Sequence, residues 1–342
     1  MTWTPGISVT PAPVGDTPAR HRSSLAAAAQ PWPTTVTSRR GTIVSMTLVE
    51  HVDGTRTPGA ATDCLRDVDG RRAPVPARPP LAMVYGGGGL VGIAYTAGVA
   101  AGLAATGIRT ATAPALGTSA GSWTASAVAL GLAFDDFRGL EPPSVPNLRP
   151  GVLAGIAREL FGEARHPLVA VSAVCLRTGR RHILDGGSHR LADLVAASSA
   201  VPGLWAPHRV DGRLYVDGGL WSCTSVDAAP EADHVIVVAP LAGTVLGPLG
   251  RAAGVMLKIE LVHRRRGHPG SSVTLIRPDP AIARVVGIRP LALFDAARAR
   301  DVYPLAYAQG LRRGRLMRRA PVLPGSPMTR SGTRADRASS AA

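Results

Sequence analysis

The first regular signal in the chain is an apolar run, Leu81 to Tyr85, set between Pro79-Pro80 and four consecutive glycines. A short apolar run with breakers on both sides predicts a buried strand. Leu90 to Thr106 follows as an uncharged stretch of small and apolar residues, stopped by Gly107, and predicts a helix. Thr110 to Leu116 predicts a second strand. Ser122 to Leu132 predicts a second uncharged helix, with Gly131 terminating it. Neither helix has a polar face, so both are expected to be buried on most sides. The alternation of strand, glycine loop, helix, strand, turn and helix predicts an α/β fold with a mainly parallel central sheet and helices on its faces.

The pattern continues downstream. Val152 to Phe161 predicts a short helix, and Leu168 to Leu176 a strong strand. Thr178-Gly179-Arg180 then turns into a hairpin partner at Arg181 to Leu184. Leu191 to Ser199 predicts a helix that ends near Pro202. Arg213 to Val216, His234 to Leu241 and Val273 to Ile276 predict three more strands, and Leu291 to Leu311 a last helix interrupted at Pro304. Glu141 to Pro150 is Pro-rich and reads as a surface loop. No internal repeat is visible.

The periodic signal fails at both ends. Residues 1–79 are rich in Pro, Thr, Ala, Ser and Arg and are expected to form a disordered extension, with Met46 as an alternative start. Residues 80–310 form the expected folded body, and residues 311–342 a disordered basic tail. Net charge is +15, but residues 311–342 alone hold eight basic residues against one acidic, so the body is only mildly basic. All the basic residues are Arg except Lys258. The three cysteines, Cys64, Cys175 and Cys223, have no close spacing, which suggests neither a disulfide framework nor a metal site. No apolar run reaches the ~18–20 residues of a membrane span. No basic-then-apolar leader is visible. A reduced, cytoplasmic setting is expected. Arg264-Arg265-Arg266 and the Arg pairs at 312–313 and 318–319 suggest peripheral contact with an anionic membrane surface. Nucleic acid is not expected as a partner, because no recognition motif or aromatic platform accompanies the charge. No cofactor and no metal are expected, and the oligomeric state is not set by the sequence.

Three motifs carry candidate chemistry. Gly117-Thr118-Ser119-Ala120-Gly121 is a Gly-x-Ser-x-Gly between a strand and a helix. Such a turn lifts the serine hydroxyl clear of the sheet and aims the first N–H groups of the helix at it. Gly87, Gly89 and Gly92 form a Gly-x-Gly-x-x-Gly, whose usual reading is a dinucleotide loop. That reading needs an acidic residue at the end of the next strand, and Gly92 to Phe134 holds no Asp or Glu. Two uses of the glycine loop then stay open: presenting backbone N–H groups to an oxyanion, or a flexible turn with close helix packing. Asp217-Gly218-Gly219 ends a strand, where open α/β sheets bind ligands.

Taken in order, the segments G-G-G-G-L-V-G, G-T-S-A-G and D-G-G resemble the patatin-like phospholipases. The flanking A-S-S-A-V-P-G-L-W-A-P, ahead of V-D-G-R-L-Y-V-D-G-G, is similar to that family's segment before its aspartate. The resemblance covers about residues 80–310. It implies a three-layer α/β/α sandwich and a Ser-Asp dyad without histidine. Ser119 would be the nucleophile and Asp217 the base, with Gly87, Gly88 and Gly89 as oxyanion hole and Gly92, Gly117, Gly121, Gly218 and Gly219 as motif glycines. Many members carry Arg or Lys where this chain has Val91. The implied activity is hydrolysis of carboxylic esters of lipids, in lipid degradation. For direct proton transfer the carboxylate must come within about 2.6–3.2 Å of the hydroxyl. Two other readings stay open. One is a Ser-His-Asp esterase of the α/β-hydrolase type, using His234, His263 or His268. The other is a protein that binds an acyl chain or a partner without turnover.

Overall fold

The computed structural model describes residues 78–140, 145–243 and 245–319. The expected N-terminal extension, apart from Arg78 and Pro79, lies outside these residues, as does the chain beyond Arg319.

The elements run β1 (Leu81–Tyr85), α1 (Gly89–Ala104), β2 (Ala115–Thr118), α2 (Ala120–Leu130), α3 (Val152–Phe161), β3 (Val169–Cys175), β4 (Arg180–Asp185), α4 (Leu191–Ser199), β5 (His208–Val210), β6 (Arg213–Asp217), β7 (His234–Val238), α5 (Pro248–Gly267), β8 (Ser272–Ile276), α6 (Pro280–Val286) and α7 (Ala296–Arg319). The strands form one sheet in the order β5-β6-β3-β2-β1-β7-β8, with β4 also paired to β3. The five strands from β3 to β8 along that path are parallel. Strands β4, β5 and β6 add antiparallel pairs at the other side.

Both faces of the central strands are covered, which is why they read as continuous apolar runs. Alternate residues serve opposite cores. Met83 and Tyr85 of β1, Ala115 of β2 and Ile236 and Val238 of β7 pack with α1, α2, α4 and α7. Ala82, Val84, Leu116, Val235 and Val237 point the other way, toward Val226, Ala229 and Leu257 of α5. The molecule is therefore the three-layer α/β/α arrangement expected from the sequence. Among the described residues no helix is long and apolar enough to cross a membrane.

Four expectations change. The second strand starts at Ala115 and not at Thr110. Thr110–Thr112 form a single 3-10 turn, and only beyond Pro114, which has no N–H for a ladder, does pairing with β3 begin. The last helix runs to Arg319, eight residues past Leu311, because α7 packs against α1 through small residues. A Cβ on Gly102 would stand 2.2 Å from the Tyr307 carbonyl oxygen, and one on Gly314 equally close to Thr106 Oγ1. The body thus extends through nine residues expected to be tail. Helix α5, unmarked in the sequence, covers the second face of the sheet. Within it Arg264 is 1% exposed and donates to the carbonyls of Ala229 and Pro230 at 2.6 and 2.7 Å. Arg264 is a structural cation and not a membrane contact, while Arg265 and Arg266 remain exposed.

Candidate active site

Strand β3 brings the two chemical motifs together. Its one edge is taken by β4 along Ala170–Cys175. The other edge is shared end to end: β2 pairs with Val169–Ser172, and β6 with Ala173–Cys175. Thr118 lies opposite Ser172, and Asp217 opposite the next residue, Ala173. Two strands entering from opposite directions therefore meet head to head. Ser119, one residue past β2, and Asp217, the last residue of β6, arrive at the same point although they are far apart in sequence.

The serine turn is strained as its glycines imply. Ser119 has φ 51° and ψ −121°, a region that side-chain-bearing residues rarely occupy. It persists because its neighbours fix it. A Cβ on Gly121 would lie 1.9 Å from the Tyr85 carbonyl oxygen, and one on Gly117 2.4 Å from Ser122 Cα. The Ser119 N–H donates to Ser198 Oγ at 2.8 Å, and that hydroxyl donates on to the Ser172 carbonyl at 2.8 Å. Ser198 thus ties the turn to both α4 and β3.

Asp217 is 4% exposed. Its Oδ1 accepts from Gly219 N–H at 2.6 Å. Gly218 leaves room for the turn, since a Cβ there would stand 2.2 Å from the Ser172 carbonyl oxygen. Burial raises the Asp217 pKa to about 6, with the Ser119 side chain and the Gly219 N–H pulling it partly back. The Ser119 side chain is therefore close enough to favour the charged carboxylate. It is not aligned as a hydrogen bond to Oδ2, which is buried without a partner. The pair stands in proximity, with the hydroxyl still to turn toward Oδ2.

The glycine loop divides in two. Gly87 N–H is spent on the Cys223 carbonyl at 2.8 Å, and Gly86 N–H on the Val238 carbonyl at 2.9 Å. Gly87, expected as an oxyanion donor, instead anchors the loop. Gly88 and Gly89 are the N-cap and first residue of α1, and Ala120 is the first residue of α2. N–H groups at such positions have no intrahelical acceptor. All three residues line the same cavity as Ser119 and Asp217. Gly92 keeps the two helices close, since a Cβ there would lie 3.0 Å from Ala120 Cβ. Val91 is 3% exposed and feeds the core.

The cavity measures about 700 Å³. Ile93, Trp123, Phe134, Phe137, Leu153 and Ile156 form part of its wall. Cys223 also lines it, but burial first, then the charges of Asp217 and Glu260, push its thiol up to about 11. It is held protonated and offers no thiolate. No histidine lines the cavity among the described residues. His234 opens β7, at the end of the sheet away from Ser119, and its Nδ1 sits 2.6 Å from Ser272 Oγ. His263 and His268 lie at the far end of α5, with His268 3.6 Å from Glu231.

A family model described as patatin-like phospholipase matches residues 140–230. This segment is similar to the patatin-like phospholipases. It contains α3 to β6 and Asp217, while Ser119 lies upstream of it. The crystal structure of VipD from Legionella pneumophila is also similar, at 14% identity and a TM-score of 0.37, over 73% of this chain and 69% of that one.

Ser198 and the aromatic wall joined the site only in three dimensions. Nothing in the Ser198-Ser199 pair of the sequence indicates which backbone N–H it will hold. The wall residues come from four separate segments and share no local pattern.

Proposed function

We propose that this chain is a lipid acyl hydrolase, a serine enzyme acting on carboxylic esters through Ser119 and Asp217. The observation that carries this reading is a buried carboxylate oxygen without a partner, beside a strained serine, at the wall of an apolar cavity of about 700 Å³. Such volumes suit lipid-sized ligands, since ligand pockets run roughly 300–1,000 Å³.

In this mechanism Asp217 takes the Ser119 proton as Oγ attacks the ester carbonyl. The carbonyl oxygen becomes an oxyanion, met by the N–H groups of Gly88, Gly89 and Ala120 and by the positive ends of α1 and α2. Collapse of the tetrahedral adduct breaks the C–O bond to the alcohol, which leaves with the proton held by Asp217. Water then attacks the acyl-serine, giving its proton to Asp217. The second collapse returns that proton to Ser119 and frees the fatty acid. No imidazole is needed, because a carboxylate of raised pKa is a stronger base than an exposed one.

The test is labelling by a fluorophosphonate probe alongside hydrolysis of p-nitrophenyl esters of increasing chain length. Ser119→Ala is expected to lose both with its circular dichroism unchanged. Esterase activity surviving in that variant would sink the reading. So would a preference for acetate over long-chain esters, as regards lipids.

A further inference from the structure

Besides Asp217, one carboxylate among the described residues is buried: Glu260 of α5, 6% exposed. It does not line the cavity. Among the described residues no cation forms an ion pair with it. Arg264, one turn on, gives its donors to Ala229 and Pro230, and Arg181 of β4 holds Asp227 at 2.7 and 2.8 Å. A carboxylate buried without a cation costs more than an apolar side chain in its place. What Glu260 holds is the loop between β6 and β7. Its Oε2 accepts from the Val226 N–H at 3.1 Å. Ser222 Oγ accepts from the Thr224 and Ser225 N–H groups, at 3.0 and 2.8 Å, so its lone pairs are taken and its proton is left to donate. The Glu260 carboxylate is the acceptor beside it. Between these two anchors Ser225 is fully buried at φ 54° and ψ 35°, a left-handed conformation that a residue with a side chain keeps only when its surroundings fix it.

The same loop touches both halves of the site. The Cys223 carbonyl accepts from the Gly87 N–H at 2.8 Å, and the Ser225 hydroxyl donates to Ser172 Oγ at 3.0 Å. The Ser172 carbonyl takes the Ser198 hydroxyl, the one that fixes the Ser119 N–H. Gly87 stands so near the nucleophile that a Cβ on it would lie 3.2 Å from Ser119 Cβ. We propose that Glu260 is a positioning residue: it fixes the Ser222–Val226 loop and, through the Cys223 carbonyl, sets where Gly87 and the following N–H groups of Gly88 and Gly89 stand against Ser119. This rests on the hydrolase reading for its effect on rate, though not for the contact itself. Truncating Glu260 leaves the Val226 N–H and the Ser222 proton without their acceptor, frees Ser225 to relax and loosens the carbonyl that pins Gly87. Donors displaced by about 1 Å from the reacting atoms can lower a rate about 100-fold.

Two measurements on the full chain separate the contact from the chemistry. The first is hydrogen exchange of the Gly87 amide. Glu260→Ala should speed it at least ~10-fold, while the amides of α7, on the opposite face of the sheet, keep the wild-type rate. Ser222→Ala, which removes the second anchor, should give the same pattern. Equal speeding at Gly87 and in α7 would reduce Glu260 to a structural residue and overturn the proposal, as would an unchanged Gly87. The second is turnover of p-nitrophenyl esters. Glu260→Ala should lower kcat about 10-fold with KM within about 2-fold of wild type. Glu260→Gln, which keeps an acceptor oxygen for the Val226 N–H, should recover most of that loss. Glu260→Ala combined with Ser222→Ala should lose no more than the worse of the two alone, since both act through one loop. A Gln variant as slow as the Ala variant, or a loss carried by KM, overturns the proposal. A wild-type chain that hydrolyses no ester yet shows the exchange pattern overturns the hydrolase reading and upholds the positioning. An active chain whose Gly87 exchanges alike in every variant does the reverse.

Discussion

Asp217 is held at a cost. Its folded pKa of about 6 lies above the ordinary aspartate value of 3.8, so the folded state binds the proton more tightly than the unfolded one. Stability is therefore highest below the unfolded pKa and falls as pH rises from about 4 to about 6. Two pKa units correspond to a few kcal/mol at most. Asp217→Asn keeps the oxygen that accepts from Gly219 and removes the buried charge. Urea unfolding should show it more stable than wild type by on the order of 2 kcal/mol at pH 8, with the difference vanishing near pH 4, while hydrolysis is lost. In the proposed mechanism Asp217 acts as base only when ionised, so kcat/KM should rise through pH 6 and level off above it. Ser198 acts on the same centre through Ser119. Ser198→Ala leaves a buried N–H and a carbonyl unpaired, each worth about 1–3 kcal/mol. A fall in kcat of about 10-fold with KM unchanged, and slower fluorophosphonate labelling, are expected. Equal losses of folded protein and of activity would reduce Ser198 to a structural residue.

At the scale of elements, helix α5 shows why part of the fold escaped the sequence. Its buried positions are Gly250, Leu257, Glu260 and Arg264, while Val255, Met256, Ile259 and Val262 are 45–56% exposed. Apolar residues occupy both faces, Leu257 and Leu261 inward and these four outward, so hydrophobic periodicity does not mark the inward face. Glu260 and Arg264 face inward because they satisfy loop groups: Glu260 accepts from Val226 N–H at 3.1 Å, and Arg264 holds the next carbonyls. Burial raises Glu260 to about 7, with Asp227 adding to the shift. Leu257→Ala should cost about 2–4 kcal/mol in denaturant unfolding. Ile259→Ser, two residues away and apolar on paper, should stay within about 0.5 kcal/mol. By contrast α3 and α4 fall where their sequence pattern put them, because there the apolar face is the buried one.

For the whole molecule, α7 closes the layer over α1. Tyr95 Oη donates to Gln309 Oε1 at 3.1 Å, and Gln309 Nε2 donates to the Arg277 carbonyl at 2.7 Å. Arg318 donates to the Thr106 carbonyl, and Gly314 lets Thr106 approach. A chain ended at Gly310, the boundary that composition suggested, loses these last contacts and exposes the end of α1. Its melting temperature should drop by several degrees, with a loss of about 1–3 kcal/mol. A melting temperature equal to the full chain would show that α7 contributes nothing past Gly310.

The sequence by itself determined the order of strands and helices from β1 to α4, the glycines of both turns and the candidate serine and aspartate. These are local matters: a left-handed serine needs small neighbours, and a doubly buried strand needs an apolar run. Only the tertiary structure decided that β2 and β6 meet head to head on β3, that Gly87 is consumed by Cys223 while Gly88, Gly89 and Ala120 keep N–H groups without an intrahelical acceptor, and which scattered side chains wall the cavity. Strand pairing and hydrogen-bond partners join residues distant along the chain, and no local pattern encodes which of them will be neighbours.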